Sequence, residues 1–435
     1  GHSMDEDGDH RAARDLLLGY PPRTTPGFQS DVPPQQKAVA WARALDRGVL
    51  PIQGPPGTGK SHTAAEMILA LIRDGKKVGI TALSHKVIVG LMEKVIRAGE
   101  KVGVKVSCMR RVSKPSEKPD QGIAEEKDYD KIEAVIRGGT VQVVGGTAWL
   151  WAREQFKESV DVLVVDEAGQ LSLIDTLAVA QAATNLVLLG DPQQLKQPQQ
   201  GSHPEGTEVS ALEHVLQDHQ TIPPDRGILL DITWRMHPAI CSFVSELFYE
   251  NRLQPLPGLE KQLLFGATQF VGAGLWYVPV HHDGNQSSAP EEVGVVRQII
   301  DGLLSGKVSY QNAKGEVCPV TAGDIKVIAP FNAHVSLLTQ ALPGGVAVGT
   351  VDKFQGQEAP IVLFSMATSR PEDAPRGMEF LYSPNRLNVA VSRARATFIL
   401  VASPKLFEPD CRNVRQMKLA NAYCRFIEQQ QKPAP

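Results

Sequence analysis

Cysteine is scarce in this 435-residue chain, and the few present show no pattern. Cys108, Cys241, Cys318, Cys411 and Cys424 form no Cys-x-x-Cys pair and no zinc-type spacing. This excludes a disulfide scaffold and a cysteine-based zinc module, and the five read as reduced thiols of a cytoplasmic protein. No apolar run reaches the roughly 18 residues of a membrane span, so no membrane partner is expected. Excess positive charge is lacking too: the net charge is −3. There is thus no bulk attraction to a polyanion, and any nucleic-acid binding must come from a local groove. Internal repeats, heptads and low-complexity tracts are absent apart from the Gln-Gln-Gln-Lys-Pro tail. The only adjacent histidine pair, His281–His282, lies in a polar, turn-rich stretch and reads as a solvated loop rather than a metal site.

What is present is the composition of a soluble globular protein, with 42% apolar and 21% charged residues. The length suits two or three domains. The opening Gly-His-Ser-Met reads as a tag scar, so the natural start is expected to lie elsewhere. Short β-branched runs recur, each followed by turn residues and a helical pattern. The first set is Val49–Gln53, Lys77–Thr81, Val141–Val144, Val160–Val165 and Leu186–Leu189. The second is Asp324–Ala329, Ala347–Gly349, Pro360–Phe364 and Thr397–Val401. Strands apolar on both faces, alternating with helices, predict α/β units built on mostly parallel sheets covered by helices. Two such units are expected, 31–222 and 223–430, after a lead-in (1–30) and before a short tail (431–435). Their junction is placed near Pro223–Arg226, where Ile-Pro-Pro-Asp-Arg-Gly interrupts the pattern. The charged segment Arg110–Arg137 reads as a solvated insertion, part helix and part loop. Residues 254–290 read as loops around one strand. Trp149 and Trp151, in Ala-Trp-Leu-Trp-Ala, read as core residues of a helix.

The chemistry begins at Gly54-Pro55-Pro56-Gly57-Thr58-Gly59-Lys60-Ser61. This fits Gly-x-x-x-x-Gly-Lys-Ser/Thr, which arises by chance in roughly 2% of chains this long. The glycines let backbone N–H groups turn towards phosphate oxygens, and the helix Ser61–Arg73, ended by Gly75, adds its positive N-terminal end. Lys60 can reach the β- and γ-phosphates, and the Ser61 hydroxyl can ligate Mg²⁺. The strand Val160–Val165 delivers Asp166 as a Mg²⁺ ligand and Glu167 as general base towards water. A further strand delivers Gly190-Asp-Pro-Gln-Gln194. Gln194 is a candidate γ-phosphate sensor, although such a turn could also simply end a strand.

Longer motifs follow: Trp234-Arg-Met-His-Pro238, Thr350-Val-Asp-Lys-Phe-Gln-Gly-Gln-Glu358 and Arg386-Leu-Asn-Val-Ala-Val-Ser-Arg-Ala-Arg395. With Gln35, Thr81-Ala-Leu-Ser84, Gly145-Gly-Thr147 and Asp166–Gln170, these stand in the order of a known family. From about Gln35 to Ser403 the chain resembles superfamily 1 helicases of the upframeshift-like group, which includes the nonsense-mediated-decay helicase and senataxin. The resemblance implies two tandem RecA-like domains with ATP in the cleft between them, and a monomeric motor on single-stranded DNA or RNA moving 5′-to-3′. It implies that Gln35 reads the adenine edge, Trp234 stacks on the adenine, Glu358 holds the ribose, and Arg235 and Arg393 reach the γ-phosphate. Sequence chemistry alone does not choose among Arg386, Arg393 and Arg395; the family pattern picks Arg393. It places Thr81, Ser84, Thr147, Pro330, Phe331 and Thr350 on the nucleic acid, with Phe331 either stacking on a base or packing.

Leu83 and His85 stand where the family has Pro and Asn, and the small upstream β-barrel of the group is not seen. Asp15–Arg23 resembles the lead-in of bacterial chains that fuse a RecB-type nuclease to such a helicase, which implies an upstream nuclease in the full-length protein. An ATPase switch acting on a partner protein is the competing reading, and a non-catalytic clamp a third. Lys60→Ala is expected to weaken nucleotide binding at least tenfold, since it removes a charge-assisted phosphate contact; titration with a fluorescent ATP analogue checks this.

Overall fold

The computed structural model describes residues 10–24, 32–116, 120, 122–195 and 209–431. The expected tag scar and residues 432–435 of the tail lie outside the described residues. The chain divides into two compact units: Gly1–Pro55, Gly59–Pro192 and Lys196–Asp231 form one, and Pro56–Thr58, Gln193–Leu195 and Ile232–Pro435 the other.

The first unit is built on eight strands: β1 (Val49–Gln53), β2 (Val78–Thr81), β3 (Cys108–Arg111), β4 (Ile123–Glu126), β5 (Val143–Gly145), β6 (Val160–Asp166), β7 (Ala183–Gly190) and β8 (Ile228–Leu229). Their order is β4-β3-β5-β2-β6-β7-β1-β8, and every pairing is parallel. Helices α1 (Arg11–Leu18), α2 (Pro34–Ala44), α3 (Lys60–Arg73), α4 (His85–Lys101), α5 (Tyr129–Arg137), α6 (Ala148–Trp151), α7 (Leu173–Ala180) and α8 (Ala211–Leu216) accompany it. Alternate residues of one strand feed opposite cores: Val162 and Val164 of β6 join α2, α3 and α4, while Leu163 and Val165 join α1, α7 and α8. This two-sided burial is why the strands read as continuous apolar runs.

The second unit has a short pair, β9 (Ile232–Thr233) with β10 (Gln254–Pro255), and a main sheet. A three-stranded antiparallel sheet joins β11 (Leu263–Gly266), β13 (Val308–Gln311) and β14 (Val317–Pro319). The main sheet runs β12-β18-β17-β15-β16, all parallel, from β12 (Gly274–Pro279), β15 (Ile325–Ala329), β16 (Ala347–Thr350), β17 (Ala359–Ser365) and β18 (Ala394–Ala402). Its helices are α9 (Pro238–Phe248), α10 (Pro290–Leu303), α11 (Asn332–Ala341), α12 (Gly377–Leu381), α13 (Pro384–Val391) and α14 (Val414–Gln429). The expected fold class, two α/β units on mostly parallel sheets, is the one observed.

Five expectations need correction. The charged segment 110–137 is no solvated insertion: β3 and β4 extend the sheet, and Ile132 and Ile136 of α5 are buried in its core. The division falls after Asp231 rather than near Pro223, because β8 pairs with β1 and belongs to the first unit. Residues 254–290 hold three strands rather than one. His282 is buried, with Nε2 3.0 Å from Glu292 and Nδ1 2.7 Å from the Ser369 hydroxyl, so only its neighbour His281 fits a solvated loop. The two tryptophans part company: Trp151 is fully buried, whereas Trp149 is 81% exposed.

Ile136→Ala is expected to cost about 2–4 kcal/mol, the range for emptying a buried aliphatic site. A solvated insertion would give less than about 0.5 kcal/mol. The urea midpoint of the first unit's transition separates the two.

Candidate active site

In an all-parallel sheet, every strand ends on one edge. The loops after β1, β2, β5, β6 and β7 therefore leave the first unit together, and they carry the phosphate loop, Thr81–Ser84, Gly145–Thr147, Asp166–Glu167 and Gly190–Asp191. Register places Asp166 beside Leu189 and Leu189 beside Ile52, so the acidic pair and the start of the loop share one row. Two strand spacings, about 10 Å, separate them. Gly54 N donates to Gly190 O (2.9 Å) and fixes the loop's base to β7. The turns after β6 and β7 meet backbone to backbone: a Cβ on Gly190 would lie 2.5 Å from Gly169 N. No side chain fits there, which accounts for both glycines.

Gly59 caps α3 in the left-handed region (φ 81°), so Lys60 and Ser61 open the helix with no side-chain cap over its N–H groups. Such an end is suited to an anion. Lys60 Nζ donates to the Gly54 carbonyl and to that of Pro55 (3.4 Å), which folds its charge over the loop. Asp166 is buried, and its carboxyl is pushed up to about 7. Burial is the first cause and the neighbouring Glu167 charge the second, while Lys60 and Lys94 pull the other way. Glu167 is held at φ 58°, a conformation a non-glycine residue adopts at a cost. Its N–H donates to Asp166 Oδ1 (2.9 Å). A hydroxyl and a carboxylate are hard oxygen donors, which fits Mg²⁺ at Ser61 and Asp166. Gln35 sits half-buried in the first turn of α2, whose Ala38 and Ala42 share a core with Ala64 and Ala65 of α3.

In the second unit Trp234 follows β9 with its ring 61% exposed, open to stacking. Arg235 is partly buried, its side chain 11% exposed; Nε pairs with Glu358 and Nη1 donates to Ser392 O (2.9 Å). Glu358 also pairs with Arg395 (3.3 Å), so one carboxylate neutralises two guanidinium groups rather than standing free for a ribose. Burial lowers the Arg235 pKa, and Glu358 works against that shift. Arg393 departs from expectation. It is 1% exposed and donates to the carbonyls of Val389 (3.0 Å), Phe354 and Gln357 (both 3.4 Å). Its guanidinium ties α13 to the turn before β17 within the second unit, and Arg395 is the half-exposed guanidinium of that segment. Gln194 is buried and falls with the second unit.

The expected nucleic-acid residues divide similarly. Ser84 is exposed and caps α4, accepting from Val87 N (3.3 Å). Thr147 opens α6 with no cap bond from its side chain. Thr81 is fully buried with Oγ1 unpartnered, so its hydroxyl is not offered to a ligand here. Pro330, Phe331 and Thr350 line one pocket of about 290 Å³ together with Asp352, Arg376, Phe380 and Arg386. Phe331 is buried and packs against Phe380 (5.6 Å between centroids). Both Arg376 and Arg386 lie over the Phe380 ring, at 4.7 and 4.3 Å. Sequence reasoning missed Arg376 and Phe380, which lie in no motif.

Two family models, each described as an AAA domain, match residues 32–218 and 207–405. DNA polymerase alpha-associated DNA helicase A of Schizosaccharomyces pombe is 26% identical over 83% of this chain and 62% of its own length. The chain is similar to helicases. DNA-binding protein SMUBP-2 of Rattus norvegicus is 26% identical over 88% of this chain and 44% of its own. The regulator of nonsense transcripts 1 homolog of Drosophila melanogaster is 25% identical over 86% of this chain and 34% of its own. The chain thus spans about a third to three fifths of these relatives.

Asp166 supplies a stability test. Its folded pKa lies above the unfolded value near 3.8, so the folded state holds an extra proton between about pH 4 and pH 7. Stability falls as pH rises through that window, and the loss is complete above it. Asp166→Asn is expected to raise the melting temperature of the nucleotide-free protein at pH 8 by roughly 2–6 °C, with little change at pH 4, while abolishing added stabilisation by Mg²⁺ with nucleotide. Thermal scans across pH check the sign.

Proposed function

We propose that this chain is an ATP-driven motor on single-stranded nucleic acid. The observation that carries the reading is the common edge on which Lys60, Ser61, Asp166 and Glu167 leave the first unit beside Ser84 and Thr147. One edge serves the triphosphate and the strand, so a change at the phosphates is felt at the polymer. Hydrolysis forms a bond from water oxygen to the γ-phosphorus and breaks the bond to the β–γ bridging oxygen. Glu167 takes the water's proton, and Lys60 balances charge on the departing phosphates. Mg²⁺ held by Ser61 and Asp166 would screen the phosphate oxygens. Arg235 is a further candidate for positive charge on the phosphates, and binding and release of ATP become steps along the strand.

The reading extends to 5′-to-3′ movement by a cytoplasmic monomer, and to a nuclease upstream in the full-length protein. The competing switch acting on a partner protein predicts an ATPase indifferent to polymer. Glu167→Gln is expected to lower kcat at least 100-fold while leaving ATP affinity within about threefold. In the unaltered chain, oligo(dT) or oligo(U) should raise ATP turnover several-fold at low salt. An ATPase rate unmoved by either polymer would remove the motor reading.

A further inference from the structure

An exposed indole stands two residues beyond Thr147. Helix α6 directs Leu150 and Trp151 inward, and Trp151 Nε1 donates to the carbonyls of Ile80 (3.1 Å) and Gly146 (3.2 Å). With these two anchored, the turn leaves Trp149 outward at 81% exposure, the highest among the exposed large hydrophobic residues. Four residues on, the Arg153 guanidinium lies 3.8 Å above the Tyr129 ring. That ring also carries Arg111, from the end of β3, at 4.9 Å. Tyr129 is itself wedged against Phe156, which packs on Trp151. Two positive charges are therefore held on one ring, one of them four residues along the chain from an open indole, at the edge where the strands end.

Arg110, next in line, is neutralised by Asp120 and Glu125. Arg111 and Arg153 carry no ion pair among the described residues; the one polar side-chain contact of Arg111 is the Ser113 hydroxyl at 3.4 Å. The field reaches the neighbouring loop: burial first, then Arg110 and Arg111, hold the His85 imidazole below its ordinary pKa. Like charges fixed side by side without a carboxylate favour an anionic ligand. An indole with a free face favours a flat apolar one. A nucleotide in a single strand offers both, whereas paired bases offer no free face.

We propose that Trp149 is a stacking platform for an unpaired base, and that Arg111 and Arg153 hold the adjoining phosphates. The segment 110–137 would then widen the strand-binding edge of the first unit through β3 and Tyr129. This rests on the motor reading and adds residues that reading does not use.

The test measures binding of fluorescein-labelled oligo(dT) and oligo(U) by anisotropy, without nucleotide, at several salt concentrations. Trp149→Ala is expected to weaken binding about tenfold, the usual cost of one lost stacking contact, and Trp149→Phe to stay within about threefold. Arg111→Gln and Arg153→Gln should each lower the slope of log affinity against log salt by about 0.7. Trp149→Ala binding as tightly as the unaltered chain would overturn the proposal and hand this face to a protein partner. So would an equal loss on blunt duplex, where no base face is free. Should Trp149→Ala lower the melting temperature, the two arginine variants decide through their salt slopes. If the unaltered chain binds neither polymer, the motor reading fails instead.

Discussion

Parallel strand pairing is the constraint on which the chemistry depends. Strands that all run one way end on one edge, and the loops that follow have nowhere else to gather. In the first unit this brings the phosphate loop after β1, the acidic pair after β6 and the glycine turn after β7 into one row. The row is locked by close backbone contact, for Gly169 and Gly190 approach until no Cβ fits between them. The backbone strain at Glu167 is tolerated because its neighbours on both sides are fixed by the sheet.

The electrostatics follow from that crowding. Asp166 is buried next to a second carboxylate and two lysines, so its proton affinity depends on which charges stand nearby. A cation with phosphates would change that balance, and loading is thereby coupled to the protonation of one side chain. The second unit handles surplus positive charge differently. Glu358 serves Arg235 and Arg395 together, while Arg393 is spent on backbone carbonyls. A buried guanidinium with that many acceptors is a structural tie, while Arg395 beside it is half-exposed and paired with Glu358.

Surface composition tells a related story. A net charge of −3 offers no general attraction to a polyanion, yet guanidinium groups collect locally on aromatic rings. Phe380 carries two and Tyr129 carries two. On Tyr129 neither guanidinium has an ion pair among the described residues, whereas on Phe380 Arg386 is paired with Asp352 (3.1 Å). That is how a weakly acidic protein can present cationic spots on chosen faces.

The sequence by itself determined the central strands of both parallel sheets, the phosphate loop and the acidic pair that follows β6. Apolar runs and spaced glycines encode local backbone requirements, and these do not depend on distant contacts. It could not determine which charged or aromatic residues face inward. Segment 110–137 looked solvated because its apolar content is low, yet Ile132 and Ile136 suffice to anchor a helix once β3 offers an edge. Trp149 and Trp151 are alike in sequence, and only the packing of Leu150 and Trp151 turned the first outward. Of three neighbouring arginines, the tertiary structure buried Arg393 and left Arg395 half-exposed, because carbonyls from two separate segments converge on one guanidinium and not on the other. Convergence of segments far apart in the chain is a property of the folded state, so motif spacing alone could not assign those roles.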